Sequence, residues 1–192
     1  MTEISPEGAT PAPAPQNTFK RFLLDILETV GLAVVLFLAI NAISARVRVD
    51  GYSMRPTLEN GEFVLVNRLA YKFGQPERGD IVVFRSLNAP EDLIKRVIGL
   101  PGETVRVEAG QLYVNETRLD EPYIAAPPYY AGTWSVPEGY LFVLGDNRND
   151  SSDSHSWGLL PIENVVGKAV LVYWPFSDFM VIQHERAALA AP

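Results

Sequence analysis

A long apolar run near the N-terminus constrains this chain more than any other feature. It covers residues 22–43, and only Asp25 and Glu28 interrupt it, close to its start. Taken from residue 23 to residue 45, the run is long enough for a membrane-spanning helix of ~20 residues if both acids lie near the interface. We therefore expect a transmembrane anchor over residues 19–45. A cleaved secretory signal, which the flanking Lys20 and Arg21 favour, and a buried core helix are the alternatives.

The other segments differ in composition from this run. Residues 1–18 are rich in Pro and Ala and have no apolar period, which predicts a disordered tail. Residues 46–180 consist of short β-type segments separated by Gly, Pro, Asn and Asp, which predicts a mainly β domain of packed sheets. The expected strands are residues 46–49, 63–67, 80–85, 92–98, 104–108, 111–114, 140–144 and 165–174, with a hairpin turn at Ala109-Gly110. Residues 181–192 are expected to form a weak C-terminal tail.

Composition excludes several functions. Nucleic-acid binders usually carry an excess of basic residues, whereas this chain has a net charge of −7. We therefore expect no nucleic-acid partner. The absence of cysteine excludes a disulfide scaffold, a thiol nucleophile and a thiolate metal site. The polar segment 145–158 fits a calcium loop poorly, because Arg148 stands where a ligand is needed and no Gly follows at the sixth place. We therefore expect neither a metal nor a cofactor.

The segment Gly51-Tyr52-Ser53-Met54-Arg55-Pro56-Thr57-Leu58 follows the apolar run. Ser53 lies between a Gly that permits unusual backbone angles and a Pro that fixes one, an arrangement that holds a hydroxyl at a defined place on a turn. This makes Ser53 a candidate nucleophile, although ordinary turn chemistry produces the same pattern. Eight residues from Ala45 to Ser53 reach at most about 27 Å, so the anchor would keep Ser53 near the bilayer surface.

A serine nucleophile needs a base, and Lys95 is a strong candidate beside the only two histidines, His155 and His184. With a period of two, Leu93, Lys95 and Val97 share one strand face, which places the amine between apolar neighbours. Burial there would lower the lysine pKa towards the range in which it can accept a proton. The alternative is a lysine that extends from an exposed face into solvent.

Four segments together resemble the successive signature boxes of bacterial type I signal peptidases, and they cover roughly residues 20–178 in the right order. They are Ser53-Met54-x-Pro56-Thr57-Leu58, Gly79-Asp80-Ile81-Val82-Val83-Phe84, Lys95-Arg96-Val97-x-Gly99-x-Pro101-Gly102-Glu103 and Gly145-Asp146-Asn147-Arg148-x-x-Ser151-x-Asp153-Ser154. Many relatives carry Arg where this chain has His155. Members of the photosynthetic lineage carry His, so His155 indicates that sub-branch.

The resemblance implies a fold and a place in the cell. The family fold consists of two antiparallel sheets with the site in a groove at one end, following a single uncleaved transmembrane helix. The resemblance also implies an endopeptidase that acts as a monomer on the signal peptides of exported preproteins at the lipid bilayer. Its catalytic domain would lie on the extracytoplasmic side of the plasma (inner) membrane, or at the thylakoid membrane.

The resemblance also assigns roles to residues. Ser53 would be the nucleophile and Lys95 the general base of an acyl-enzyme mechanism, and Ser151 would orient Lys95. Many relatives have a hydroxyl side chain at the position of Gly51, so the oxyanion hole here would depend mainly on backbone N–H groups, with that of Ser53 among them. Arg96 and His155 are the expected partners of Asp146 and Asp153. The substrate pockets, which would prefer small residues, are expected to be lined by Val49, Asp50, Tyr52, Asp92 and Ile94.

Three other functions remain open at this point. One is a catalytic triad of Ser53, His155 and Asp153. An Asp and a His that are two positions apart in one loop rarely adopt the geometry that a triad needs. Another is a repressor-type self-cleaving Ser/Lys protease, which would require a DNA-binding N-terminal segment. The third is a membrane-anchored, non-catalytic β-domain that binds exported peptides. The aromatic segment 122–138 is interpreted as a surface insertion, with membrane contact as its alternative.

Overall fold

The computed structural model describes residues 18–86 and 91–184. Nearly all of the expected N-terminal tail and residues 185–192 of the expected C-terminal tail lie outside these ranges. The chain divides after Asn41 into a helical unit and a β unit.

The helix α1 is Thr18–Ile43; its residues up to Asn41 form the helical unit, and its last two belong to the β unit. Within it, Phe19–Ile43 is 25 residues long with a mean hydropathy of 2.4, which is long and apolar enough to cross a membrane. Its apolar side chains, Leu24 and Phe37 among them, are exposed, unlike those of a core helix. The helix ends two residues before the expected boundary because Ser44 already begins a strand that pairs with Asn67.

The β unit contains two sheets in which every strand pair is antiparallel. Its strands are β1 (Ser44–Arg48), β2 (Phe63–Asn67), β3 (Ile81–Arg85), β4 (Asp92–Gly99), β5 (Thr104–Glu108), β6 (Gln111–Val114), β7 (Thr117–Arg118), β8 (Gly132–Ser135), β9 (Tyr140–Leu144), β10 (Leu160–Pro161), β11 (Val165–Trp174) and β12 (Met180–Val181). The larger sheet has the order β1-β2-β11-β3-β4-β9-β10, with β12 beside β11, and the smaller has the order β7-β6-β5-β8. The predicted mainly β fold with two antiparallel sheets is confirmed.

The strands β3, β4 and β9 are consecutive neighbours in the larger sheet. Val82 pairs with Lys95 and Ile81 with Arg96, while Arg96 pairs with Leu144 on its other side. Alternation along β4 directs Leu93 and Val97 into one apolar cluster and Ile94 into another. Because of this alternation, Lys95 and Arg96 lie on opposite faces of the sheet.

Several short elements were not expected from the sequence. β8 lies inside the segment interpreted as an aromatic insertion, where it pairs with β5. β7, β10, β12 and the single-turn helix α2 (Ser154–Trp157) are two to four residues long. Such lengths carry too little periodicity to be recognised before their partners are known.

The β unit extends beyond the expected boundary at residue 180. Val181 pairs with Leu171 through β12, and Ile182 is buried in the core with Val172. The expectation of a weak tail from residue 181 is therefore corrected for residues 181–184, because a buried isoleucine fixes this segment to the sheet.

Candidate active site

The structure brings the Ser53 hydroxyl and the Lys95 amine together. Lys95 Nζ lies 2.7 Å from Ser53 Oγ and donates to the carbonyl oxygen of Ile94 at 3.0 Å. Only 3% of Lys95 is exposed. Burial lowers the pKa of Lys95 to about 8, and the charges of Asp153 and Asp146 oppose part of that shift. The expected contact is present, and the amine can lose its proton near neutral pH.

The turn that carries Ser53 is fixed at several backbone groups. Asn147 donates from its backbone N–H to the Ser53 carbonyl at 3.0 Å and from Nδ2 to the Tyr52 carbonyl at 3.1 Å. Met54 and Leu58 are buried in the core behind the turn. Gly51 has a φ of +97°, which favours glycine, and its N–H donates to Asn60 Oδ1 at 2.9 Å. Bonds on both sides of the serine therefore hold its position.

Gly145 lies in close contact with this turn. A Cβ at residue 145 would be 2.4 Å from the Ser53 carbonyl oxygen and 2.3 Å from Ser151 Oγ. Distances that short cannot be accommodated without movement of the backbone or of the serine. The glycine of this polar loop is thus required by close packing on the nucleophile turn.

The predicted ion pair between Arg96 and Asp146 is present and fully buried. Arg96 donates to the two carboxylate oxygens of Asp146 at 2.8 and 2.7 Å, and also to the Gly79 carbonyl at 3.0 Å. Thr57, from the Ser53 segment, donates its hydroxyl to Asp146. The guanidinium lies 3.9 Å from the ring centroid of Tyr123. This network joins β4, the Ser53 segment and the polar loop. It lies next to Lys95, the residue before Arg96.

A second buried pair was not recognised from the sequence. Arg148 donates to both oxygens of Glu121 at 2.7 and 2.6 Å and to the Gly145 carbonyl at 3.1 Å. The Tyr123 hydroxyl donates to the same glutamate at 2.9 Å. No local spacing relates Glu121 to Arg148, which are 27 positions apart, so only the fold identifies them as partners.

The predicted contact between Asp153 and His155 is also present. His155 Nδ1 lies 2.6 Å from Asp153 Oδ1, while Asp153 Oδ2 accepts from the Gly145 N–H at 2.9 Å. Asp153 caps α2, and the His155 ring stacks on Tyr130 with centroids 4.0 Å apart. Among the described residues, no hydrogen bond joins His155 to Ser53. The contacts of His155 thus fix the loop and do not form the triad considered as an alternative.

Ser151 does not make the expected hydrogen bond to Lys95. Its Oγ is buried and has no partner among the described residues, and it faces the small gap beside Gly145. The direct contact inferred from the resemblance is absent in this structure, where Lys95 Nζ contacts Ser53 Oγ and the Ile94 carbonyl instead.

A cavity of about 490 Å³ adjoins the Ser53–Lys95 pair. Its lining is mostly apolar and comes from β3, β4 and the region of α2 and β10: Ser53, Phe84, Arg85, Ser86, Leu93, Lys95, Ser152, Trp157, Leu159, Leu160 and Pro161. Ser53, Leu93 and Lys95 were expected at the site, but no sequence pattern indicated the other wall residues. They come together only when the sheet forms.

The five residues predicted to line substrate pockets are not among the described residues around this cavity. Val49 and Ile94 pack together on the other face of β4, where they retain 5% and 7% exposure. Asp50, Tyr52 and Asp92 are exposed. Their role in substrate binding stays a prediction.

A serine hydroxyl within hydrogen-bond reach of a buried lysine amine is the arrangement of serine hydrolases that use lysine as their base. The chain belongs to the family described as signal peptidase, peptidase S26, whose model matches residues 23–174. It is accordingly a serine endopeptidase.

Individual relatives agree with the family. The chain is 43% identical over 186 residues to a signal peptidase I of Leptolyngbya laminosa, covering 90% of this chain and 92% of the relative. It is 42% identical over 153 residues to thylakoidal processing peptidase 1, chloroplastic, of Arabidopsis thaliana, covering 73% of this chain and 45% of that protein. These relatives support the photosynthetic lineage. A crystal structure of a signal peptidase I from Enterococcus faecalis V583 is 36% identical with a TM-score of 0.47, covering 50% of this chain and 97% of that one.

Proposed function

We propose that this chain removes N-terminal signal peptides from exported preproteins, with Ser53 as the nucleophile and Lys95 as the general base. The observation that carries the proposal is the 2.7 Å contact between Lys95 Nζ and Ser53 Oγ at a buried amine. Burial lowers the pKa of Lys95 to about 8, so a useful fraction of the amine is neutral near pH 7–8. The relatives named signal peptidase I support the substrate class.

The chemistry proceeds through an acyl-enzyme. Ser53 Oγ attacks the scissile carbonyl carbon while neutral Lys95 takes the hydroxyl proton. The lysine then gives this proton to the leaving amine, and the signal peptide stays esterified to Ser53. In the second half, Lys95 takes a proton from water as the water oxygen attacks the ester carbon. The lysine then returns this proton to Ser53 Oγ as the C–O ester bond breaks, and the signal peptide leaves with a free C-terminal carboxyl group.

The oxyanion of each tetrahedral intermediate needs hydrogen-bond donors at Ser53. Gly51 supplies no hydroxyl, so we assign this role to backbone N–H groups, with that of Ser53 among them. The Asn147 bond to the Ser53 carbonyl orients this peptide segment and so supports the assignment. The mostly apolar cavity beside the pair gives room for an apolar side chain near the scissile bond.

The membrane helix supports the location of the reaction. Ser53 follows Ile43, the end of α1, by ten residues, five of which form β1. We assign α1 as a single span that keeps the site on the extracytoplasmic side of the plasma membrane, or at the thylakoid membrane. Both reacting groups come from one chain, which supports action as a monomer.

The test is cleavage of a model preprotein by the detergent-solubilised chain, with the cut mapped by mass spectrometry. Ser53→Ala and Lys95→Ala should each abolish cleavage, whereas Ser135→Ala, at an exposed serine of β8, should leave it unchanged. His155→Gln should retain cleavage, because His155 would act as the base only in the alternative triad. Cleavage that persists in both Ser53→Ala and Lys95→Ala would overturn the assignment of the two groups, whereas no cleavage by the wild type would favour the non-catalytic peptide-binding domain.

A further inference from the structure

A second cavity, of about 510 Å³, lies in the β unit away from Ser53 and Lys95. Its walls come from the last turn of α1, the segment after β2, the end of β3, and the start of β11 with the segment before it. The lining residues are Ala42, Arg68, Tyr71, Lys72, Arg85, Ile162, Glu163, Asn164, Val165 and Val166. Its size falls in the range of small-ligand sites, ~300–1,000 Å³.

The cavity is cationic in a chain whose net charge is −7. Arg68, Lys72 and Arg85 contribute three positive charges to the walls, and Glu163 contributes one negative charge. Across residues 18–86 and 91–184, no carboxylate forms an ion pair with any of these three cations. Most arginines elsewhere in the β unit do have such partners, for example Arg78 with Glu103 and Arg148 with Glu121. Within the described ranges, these three charges therefore have no carboxylate partner.

The wall also contains a donor without an acceptor. The Asn164 Nδ2 is buried, and no described group accepts a hydrogen bond from it. A buried donor left unpaired costs about 1–3 kcal/mol, so native structures usually provide a partner. An anion in the cavity could supply that acceptor after a rotation of the amide.

The position of the cavity follows from its connection to α1. Ala42 is a wall residue, and the Arg68 N–H donates to the Ile43 carbonyl at 3.0 Å, where the apolar segment Phe19–Ile43 ends. At ~1.5 Å per residue, that segment exceeds the ~30 Å hydrocarbon thickness. The apolar segment ends at Ile43, and the charged Arg46 and Arg48 follow, so the chain leaves the hydrocarbon close to residue 43. The cavity that Ala42 lines therefore lies near this membrane surface.

We propose that this cavity binds the phosphate-bearing headgroup of an anionic membrane lipid. Basic pockets at the ends of membrane helices bind such headgroups, and each nearby Lys or Arg contributes about 1 kcal/mol. The proposal depends on α1 being a membrane span and is independent of the chemistry at Ser53.

The site also adjoins the catalytic cavity. Arg85 lines both cavities, so a headgroup that engages this guanidinium would restrict its position at the rim beside Lys95. We expect an anionic lipid to change the KM for a peptide substrate more than kcat, because Arg85 contacts neither Ser53 nor Lys95 through any described hydrogen bond.

The test measures lipid binding to the full chain in neutral detergent, using the anisotropy of a fluorescent phosphatidylglycerol. Arg68→Gln combined with Lys72→Gln should raise the apparent Kd at least ten-fold, because two cations are lost. The matched control is Arg46→Gln combined with Arg118→Gln, which removes two exposed cations outside the cavity and should change the Kd less than two-fold. Arg68 and Lys72 are exposed, so the variant should keep the thermal unfolding midpoint of the wild type.

Several outcomes would overturn the proposal. If both double variants weaken lipid binding equally, the attraction is unspecific. If Arg68→Gln with Lys72→Gln does not weaken it, the lipid does not bind in the cavity. Equal affinity for phosphatidylcholine would exclude an anion site. If glycerophosphoglycerol, the deacylated headgroup, saturates at the same concentration as the lipid, the ligand is a free phosphate ester and the lipid assignment fails. Ser53→Ala should bind lipid like the wild type, which separates this proposal from the proposed peptidase.

Discussion

Arg96 donates to both carboxylate oxygens of Asp146, at 2.8 and 2.7 Å, although the two residues are 50 positions apart and neither side chain is more than 1% exposed. The pair lies directly beside Lys95 in the sequence of β4 and at the start of the polar loop that packs on Ser53. A buried pair of this kind contributes little net stability while intact, but the loss of one partner leaves an uncompensated charge.

Asp146→Asn should therefore destabilise the protein by about 3–5 kcal/mol, because it leaves the Arg96 charge buried and unpaired. Chemical unfolding of the full chain in detergent, followed by tryptophan fluorescence, measures this change. Asp50→Asn is the matched control: Asp50 is 72% exposed and lies 3.7 Å from Arg48, so its loss should cost less than about 1 kcal/mol. Equal effects of the two substitutions would show that the buried pair has no special role.

Gly145→Ala should reduce cleavage about 100-fold, since a Cβ there would displace the Ser53 carbonyl, and a shift of about 1 Å at a site costs that much. The rate of preprotein cleavage measures the effect. Gly139→Ala is the control, because Gly139 has a φ of +81° but no atom within 4 Å of the added carbon. It should lose about 1–2 kcal/mol of stability through backbone strain and keep its activity. Comparable activity losses in both variants would argue against a packing role for Gly145.

The buried amine of Lys95 should lower the free energy of unfolding at neutral pH. Burial lowers its pKa from 10.5 to about 8, so between these values the unfolded chain binds more protons than the folded chain, and stability rises with pH. Below about pH 8 the full penalty, about 3 kcal/mol, is present. Lys95→Met should accordingly be more stable than the wild type at pH 7, and the gain should shrink from pH 8 to 10.

Unfolding free energies of both proteins at several pH values test this expectation. Lys72→Met, at an exposed lysine, should show no pH-dependent gain. A gain from Lys95→Met that is constant from pH 7 to 10 would mean that the amine is not desolvated in the folded protein.

The sequence predicted those parts of the fold that repeat a local pattern. The bounds of β2, β5, β6, β9 and β11 were predicted correctly, because their apolar residues alternate and turn residues flank them. The two-residue strands β7, β10 and β12 have no such pattern of their own and exist through their partners.

The same distinction holds at the site. The pairing of Ser53 with Lys95, and of Arg96 with Asp146, could be predicted because each residue belongs to a recognisable segment. The Glu121–Arg148 pair and the Trp157 wall of the cavity could not, since long-range packing alone brings them together. The missing contact of Ser151 depends on the side-chain positions in the folded loop, which no sequence pattern contains.

The dependence of kcat/KM on pH tests the role of Lys95 most directly. Because the chain contains no cysteine, Lys95→Cys introduces a single thiol, which 2-bromoethylamine converts in the unfolded chain to a thioether analogue of lysine with a lower amine pKa. The wild type should gain activity as Lys95 loses its proton, with a midpoint at about pH 8. The refolded analogue should recover cleavage with its midpoint at lower pH, whereas an unchanged midpoint would contradict proton transfer from Ser53 to this amine.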